Sequence, residues 1–319
     1  RFLPPVVTGP IIICIGLSLA PSAVNNVQTN WLLAIIAFAI IVIFNIWGKG
    51  MWKIIPILLG IAGAYAVALI LHFCGITNPD GSAIFNFAEV AKASWVNVPP
   101  FEFCKFDLTA ILAMAPIAIA SMMEHIGDIA AISATTGKNY IRDPGLNKTL
   151  LGDGLATTMA GLLGGPANTT YGENTGVLAL SKIYDPLVIR IAAVLAIILS
   201  FSPKFEAVIN TIPTGIIGGI SFVLYGMISA IGVRNVVENH VDFTNSRNLI
   251  VAAVILVCAL GFNSVGGVSF AIAGVNINLS GLAIAAIAGI LLNAILPGND
   301  YEFDAADGSE AASSSNLQV

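Results

Sequence analysis

Glu124, Asp128 and Glu173 are carboxylates in parts of this chain that are otherwise strongly apolar. Glu124 and Asp128 are four residues apart inside the apolar segment 108–134, so on a helix they lie on one face, one turn apart. Glu173 lies in another apolar region, just after a cluster of glycines and a proline. A charge at the centre of a bilayer costs about 2.5–3.5 kcal/mol on insertion scales, so such residues normally face a cavity and have a function. We predict that these carboxylates bind a solute and take part in proton transfer.

A set of carboxylates suits a neutral ligand that is rich in N–H groups. An ionised carboxylate accepts N–H hydrogen bonds, and the same group can take up a proton. We predict that Glu124 and Glu173 bind the solute, and that Glu124, Asp128 and His125 couple its movement to protons. An inorganic anion is disfavoured at such a site. A planar ring with alternating C=O and N–H groups, such as a pyrimidine base, fits it, although these residues do not single out one base.

The stretch 164–176 interrupts the second apolar region. Pro166 and the glycines around it loosen or break a helix, and the pattern predicts a short extended segment at 168–171. A half-helix is expected to follow, to about residue 183, and its first backbone N–H groups, near Gly172 to Thr175, can meet a carbonyl oxygen of the ligand. A broken apolar segment with a charge at the break is the best sequence indicator of a transporter's binding site.

Each of these residues also has a structural explanation. Glu124 and Asp128 could form a network with polar neighbours, and His125, which points about 100° away from Glu124 on a helix, could be a packing histidine. Glu173 could cap its own half-helix, because carboxylates stabilise helix N-termini. A Ser or Asn would cap that helix without placing a charge in the membrane. These alternatives stay open at the level of the sequence.

The elements that must position these residues are membrane helices. Of the 319 residues, 57% are apolar and 10% are charged, against roughly 25% charged in soluble domains. We therefore predict an all-α, polytopic membrane protein. About 20 apolar residues span a bilayer, and the chain offers ten apolar segments: 6–23, 31–47, 54–74, 108–134, 150–163, 171–183, 186–201, 213–233, 249–262 and 281–296.

The distribution of Lys and Arg predicts an orientation, because cytoplasmic loops are enriched in both. If residue 1 is inside and ten crossings alternate, ten of the 13 Lys and Arg residues lie on the inner side of the membrane. The other three, Lys92, Lys105 and Lys204, lie outside. The loop 75–107 is then external. The acidic, Ser- and Ala-rich tail, 298–319, is predicted to be cytoplasmic and disordered, since its composition cannot bury a core. The first residue is not Met, and we expect further helices before it.

Three motifs carry a resemblance to a known family. The first is Glu173-Asn174-Thr175-Gly176, continuing through Ser181 and Lys182, and it resembles the signature Gln/Glu/Pro-Asn-x-Gly, four residues, Thr, then Arg/Lys/Gly. Ser181 replaces the Thr but keeps the hydroxyl. The second and third are the blocks 124–128 and 2–10. Together they resemble the nucleobase–ascorbate transporter family (nucleobase–cation symporters), in its bacterial uracil permease branch, over nearly the whole chain to about residue 297.

The resemblance implies a fourteen-helix fold of two inverted seven-helix repeats, with about ten of the helices in this chain. Residues 1–74 and 203–297 would form gate-domain helices, corresponding to family helices five to seven and twelve to fourteen. Residues 108–202 would form the second half of a core domain. The family's location implies a plasma or inner membrane, and its members tend to form homodimers through gate helices.

Site roles also follow from the resemblance. Glu124 and Glu173 would bind the base, Gly172 would offer a backbone N–H, and Tyr171 would line the pocket. Asn174, Gly176, Ser181 and Lys182 would complete the signature motif. Asp128 takes a position at which some uracil permeases have a His, which alters the expected proton relay.

The implied function is proton-coupled import of a nucleobase, most simply uracil, without a cofactor, a metal or nucleic acid. A purine or xanthine permease of the same family is an alternative, as is an anion transporter of similar fold. An enzyme is not expected, since His72, His125 and His240 are scattered and complete neither a nucleophile–base pair nor a metal cluster. A passive channel would lack proton dependence.

Overall fold

The computed structural model describes residues 4–171, 174–175, 178, 182–272 and 275–298. The described part of the chain is predominantly helical. In chain order its α-helices are α1 (Pro5–Thr29), α2 (Trp31–Trp47), α3 (Met51–Ile54), α4 (Pro56–Phe73), α5 (Ala88–Lys92), α6 (Leu108–Thr136), α7 (Leu146–Leu162), α8 (Pro186–Ser200), α9 (Pro203–Ile209), α10 (Thr214–Glu238), α11 (Ser246–Ser264) and α12 (Gly281–Ile295), and a short π-helix (Ile141–Gly145) precedes α7.

Local polar residues explain why several helices begin where they do. The Asn30 side chain accepts a hydrogen bond from the Leu33 N–H at the start of α2, and the Ser280 hydroxyl accepts one from Ala283 at the start of α12. Asp185 caps α8 in the same way, and the next residue is a proline, which suits the first helical position. These caps satisfy N–H groups that have no partner within their own helix.

A two-stranded antiparallel sheet between α11 and α12 was not part of the all-α prediction. Strand β1 (Val268–Ile272) pairs antiparallel with β2 (Val275–Leu279), with Val268 opposite Leu279. In both strands apolar residues occupy every second position, which is the period of a strand rather than of a helix. Each strand is only 5 residues long. Neither is therefore long enough to count among the apolar segments that could span a bilayer.

Several described helices have the length and composition of membrane spans. They are α1, α4, α10 and α11, and the pair α8 and α9, bent by 98°, would make a fifth. Helices α2 and α12 are apolar but shorter. These helices support a multi-pass membrane protein, and the count of ten crossings stays a prediction. The sixth predicted segment, 171–183, and the acidic tail from residue 299 fall largely or wholly outside the described residues.

The chain divides into two compact units, and the first comprises Arg1–Ser18, Phe106–Gly127 and Ser229–Val319. Its core brings the beginning of α1 together with α11 and α12, around fully buried Val7, Ile11 and Ile255. Small residues let these helices approach closely, as is usual in membrane helix pairs. A Cβ added to Gly281 of α12 would lie 2.4 Å from the backbone oxygen of Ala259 in α11.

The second unit comprises Leu19–Lys105 and Asp128–Ile228. Its core is formed by α2, α4 and the first half of α10, around fully buried Leu33, Ala64 and Ile216. Glycine again sets the helix spacing, because a Cβ added to Gly219 of α10 would lie 2.2 Å from the backbone oxygen of Ala34 in α2.

A buried arginine ties the start of α11 to the end of α12 in the first unit. Arg247 is 9% exposed, and its Nη2 donates to the backbone oxygen of Asn293 at 2.8 Å and to the Asn293 Oδ1 at 2.9 Å. Its Nε donates to the Leu296 backbone oxygen at 3.4 Å. The two backbone oxygens lie at the C-terminal end of α12, where a cation is favoured by the helix dipole.

Replacing Arg247 should therefore destabilise the protein. We expect Arg247→Met to lower the free energy of unfolding by about 1.5–3 kcal/mol, because buried carbonyls lose a charged donor. The matched control is Arg234→Met, which removes an ion pair with Glu238 on the surface of α10, where the cost should be about 0–1 kcal/mol. Thermal unfolding of both variants in detergent measures the difference. Equal melting temperatures would contradict the role assigned to Arg247.

Candidate functional site

Helix α6 carries the carboxylate block on one uninterrupted helix. It begins where the Asp107 side chain accepts a hydrogen bond from the Ala110 N–H at 2.9 Å, and it runs 29 residues to Thr136. Glu124 and Asp128 are thus one turn apart on the same face, as the spacing predicts. His125 is 3% exposed and Asp128 is 4% exposed, while Glu124 is partly buried. Burial of an acidic residue in such a helix is costly, which favours a functional explanation over an incidental one.

A glycine lies inside this block, and neighbouring helices of the first unit come close to it. A Cβ added to Gly127 would lie 3.0 Å from the Ile12 Cδ1 of α1 and 3.6 Å from the Asn235 Nδ2 of α10. The Asn235 side chain is itself held by the Thr8 hydroxyl, which donates to its Oδ1 at 3.3 Å. The turn of α6 next to Asp128 is therefore packed against other helices rather than open.

The chain is broken after α7, at the position of the Gly-Gly-Pro sequence. Gly164 has φ +81°, in the left-handed region that favours glycine, and residues 165–171 form neither helix nor strand. The extended segment predicted at 168–171 therefore pairs with no strand among the described residues. The Thr157 hydroxyl donates to the Asn168 backbone oxygen at 2.5 Å, which holds the broken stretch against α7.

The loop 75–107 contacts the chain at this break, a contact that the sequence did not predict. A Cβ added to Gly164 would lie 2.6 Å from the backbone oxygen of Glu102. The positive φ and the close approach together require glycine at this position. The two glycines before Pro166 indicated that the backbone breaks here. They did not indicate that Glu102 would lie against the break.

Part of the signature motif lies within the described residues. Tyr171 is 65% exposed, Asn174 and Thr175 are helical, and Thr175 is buried. The Lys182 N–H donates to the Leu178 backbone oxygen at 2.8 Å, and Lys182 has φ +55°, a conformation typical of a helix end. Gly172, Glu173, Gly176 and Ser181 lie outside the described residues.

The structure therefore brings together only part of the predicted site. Glu124, His125 and Asp128 share one helix, whereas the proximity of Glu124 to Glu173 stays a prediction. The same holds for Tyr171 as a pocket residue. In the described ranges, no group of three His, Cys, Asp or Glu side chains could hold a metal ion.

Comparison with known proteins gives close relatives over most of the chain. The chain is 40% identical to a probable uracil permease of Haemophilus influenzae, over 93% of this chain and 70% of that protein. It is 39% identical to the uracil permease of Bacillus subtilis, over 93% of this chain and 69% of that protein. It is 38% identical to a putative pyrimidine permease of Escherichia coli, over 93% of this chain and 65% of that protein.

A family profile agrees with these pairwise similarities. The profile, described as the Permease family, matches residues 1–268. This range contains the opening block, the α6 carboxylates and the whole signature motif. The chain belongs to the nucleobase–ascorbate transporter family, in its bacterial uracil permease branch.

Proposed function

We propose that this protein is a secondary active transporter that imports uracil together with protons. The observation that carries the proposal is its similarity, at about 40% identity over most of its length, to proteins named uracil permeases. The buried acidic block of α6 supports it independently, because a neutral, N–H-bearing solute and a proton are what carboxylates in a membrane can bind. No covalent chemistry is needed, so we propose a transporter rather than an enzyme.

Uracil would be bound by side chains from two segments. Glu124 and Glu173 would accept hydrogen bonds from the ring N–H groups, and Tyr171 would line the pocket. The backbone N–H groups of Gly172 and Glu173, at the start of the half-helix, would donate to a ring carbonyl. Asn174, Gly176, Ser181 and Lys182 would fix the backbone of that half-helix.

Proton coupling would depend on the α6 block. With the site open to the outside, a proton would neutralise the region of Glu124 and Asp128, and uracil would then bridge Glu124 and Glu173. His125, buried beside Glu124, is the further candidate for this relay. Release of uracil and the proton inside would complete the cycle.

Alternating access would come from movement of a core against a gate. We propose that residues 108–202 belong to the core and that 1–74 and 203–297 belong to the gate, within a fourteen-helix fold of two inverted repeats. The loop 75–107 would be external and the tail would be cytoplasmic. Gate helices would form the contact in a homodimer in the plasma or inner membrane.

The proposal is tested by uptake of radiolabelled uracil in cells that lack their own uracil permease and express the complete protein. We expect saturable uptake that falls at least about tenfold when an uncoupler removes the proton gradient. Unlabelled uracil should compete and xanthine should not. Competition by xanthine alone would make the protein a purine permease, and uptake of an inorganic anion without uracil uptake would overturn the nucleobase assignment.

A further inference from the structure

The external loop is attached to a sharp corner of the chain in the second unit. Helix α8 ends at Ser200, α9 begins at Pro203, and the two axes are bent by 98°. Residues 88–97, which include α5, lie against this corner. Two backbone hydrogen bonds join the segments: the Asn97 N–H donates to the Phe201 oxygen at 2.9 Å, and the Lys204 N–H donates to the Ser94 oxygen at 3.0 Å.

The side chain of Lys204 strengthens this attachment. Its Nζ donates to the backbone oxygen of Val90, in the middle of α5, at 2.6 Å. The same ammonium lies 5.5 Å from the centroid of the Trp95 ring, within the range of a cation–π interaction. Its partners are thus a carbonyl and an aromatic face, while the nearby Glu89 pairs with Lys92 instead.

The position of these contacts along the chain indicates their role in the conformational cycle. Under the proposed function, the loop 75–107 connects the gate to the core, and the corner at 201–203 is where the core connects to the second part of the gate. Both are linkers between the moving parts. The contacts therefore fasten one linker to the other.

We propose that residues 88–97 and 201–204, held by Lys204, form an external clasp that joins the two linkers into one joint and stays closed during transport. This inference rests on the proposed function. Movement of a core against a gate must bend both linkers, and a joint that ties them makes them bend together. The clasp should then affect the rate of the conformational cycle and leave uracil binding unchanged.

Lys204→Met tests the proposal, because it keeps most of the alkyl chain and removes the charge and the donor. We expect the maximal uptake rate for uracil to fall about five- to tenfold while the KM changes less than twofold. The matched control is Lys105→Met, which removes an exposed lysine from the same external loop, and it should transport normally. A normal maximal rate for Lys204→Met at equal surface expression would overturn the proposal.

A disulfide in place of the clasp shows whether a variant without Lys204 is slow because the joint is lost or because the protein is misfolded. Ser94→Cys with Lys204→Cys, with the exposed Cys74 and Cys104 replaced by Ser, should be slow when reduced and should regain the rate on oxidation. Disulfide formation in the purified protein should be equally complete with and without uracil. Failure of the pair to cross-link, or a cross-linked protein that no longer transports, would overturn the clasp. Absence of uracil uptake by the unmodified protein would instead refute the proposed function, and the cross-linking yield would then decide the clasp by itself.

Discussion

Replacing Glu173 or Glu124 by Gln should reduce uracil uptake about 10- to 100-fold. Each change keeps the size of the side chain but removes a charged acceptor for a ring N–H group. Hydrogen bonds to charged groups contribute about 1.5–3 kcal/mol, and each 1.4 kcal/mol is tenfold in affinity or rate. Initial rates of radiolabelled uracil uptake, at matched surface expression, measure the effect.

The two variants should differ in their response to protons. In Glu124→Gln the residual uptake should no longer depend on an uncoupler, because the member of the proposed relay that also binds the base can no longer exchange a proton. In Glu173→Gln the residual uptake should keep that dependence. Glu206→Gln is the control, since Glu206 is exposed in α9 and its replacement should change nothing. Wild-type uptake in either test variant would refute the proposed site, even if uracil proved to be the substrate.

Gly219→Leu should severely destabilise the second unit. A Cβ at this position would lie 2.2 Å from the Ala34 backbone oxygen and 2.9 Å from its carbonyl carbon. Backbone atoms of α2 cannot move aside as a flexible side chain does, so α10 must separate from α2. Overpacking usually costs about 1–3 kcal/mol, and we expect this variant to reach or exceed the upper end. Thermal unfolding in detergent and the yield of monodisperse protein measure the loss.

A second glycine in the same helix provides the control. Gly226 is exposed, and a Cβ added there would meet no described atom within 4 Å. Gly226→Leu changes the same residue type in α10, and leucine has the higher helix propensity, so the protein should remain folded. If the two variants unfolded at the same temperature, close packing of α10 on α2 would not be what Gly219 provides.

Long helices were predictable because their signals are local. The apolar segment 108–134 gave α6 within two residues, and 281–296 gave α12 within one. Helix α1 runs to Thr29 rather than to residue 23, because Asn25, Asn26 and Gln28 are polar but continue the helix. Polar residues at the end of an apolar run do not by themselves end a helix.

Features that depend on contacts between distant segments were not predictable. The corner at 201–203 has a proline at its far side, but nothing local indicates that residues 88–97 bind there. The same limit applies to the site. Local spacing places Glu124 above Asp128, and motif resemblance assigns roles to Tyr171 and Glu173, whereas the distance between the two segments depends on how separate helices pack.

The described helices differ widely in length, and this has a consequence for the surrounding lipid. At about 1.5 Å per residue, the 29 residues of α6 extend about 43 Å, whereas the 15 residues of α12 extend about 22 Å. The hydrocarbon layer of a bilayer is about 30 Å thick. Long helices must tilt or project beyond the hydrocarbon layer, and the bilayer beside short helices must become thinner. Acyl-chain length should therefore influence the stability of this protein, at a cost of fractions of a kcal/mol per Å of mismatch.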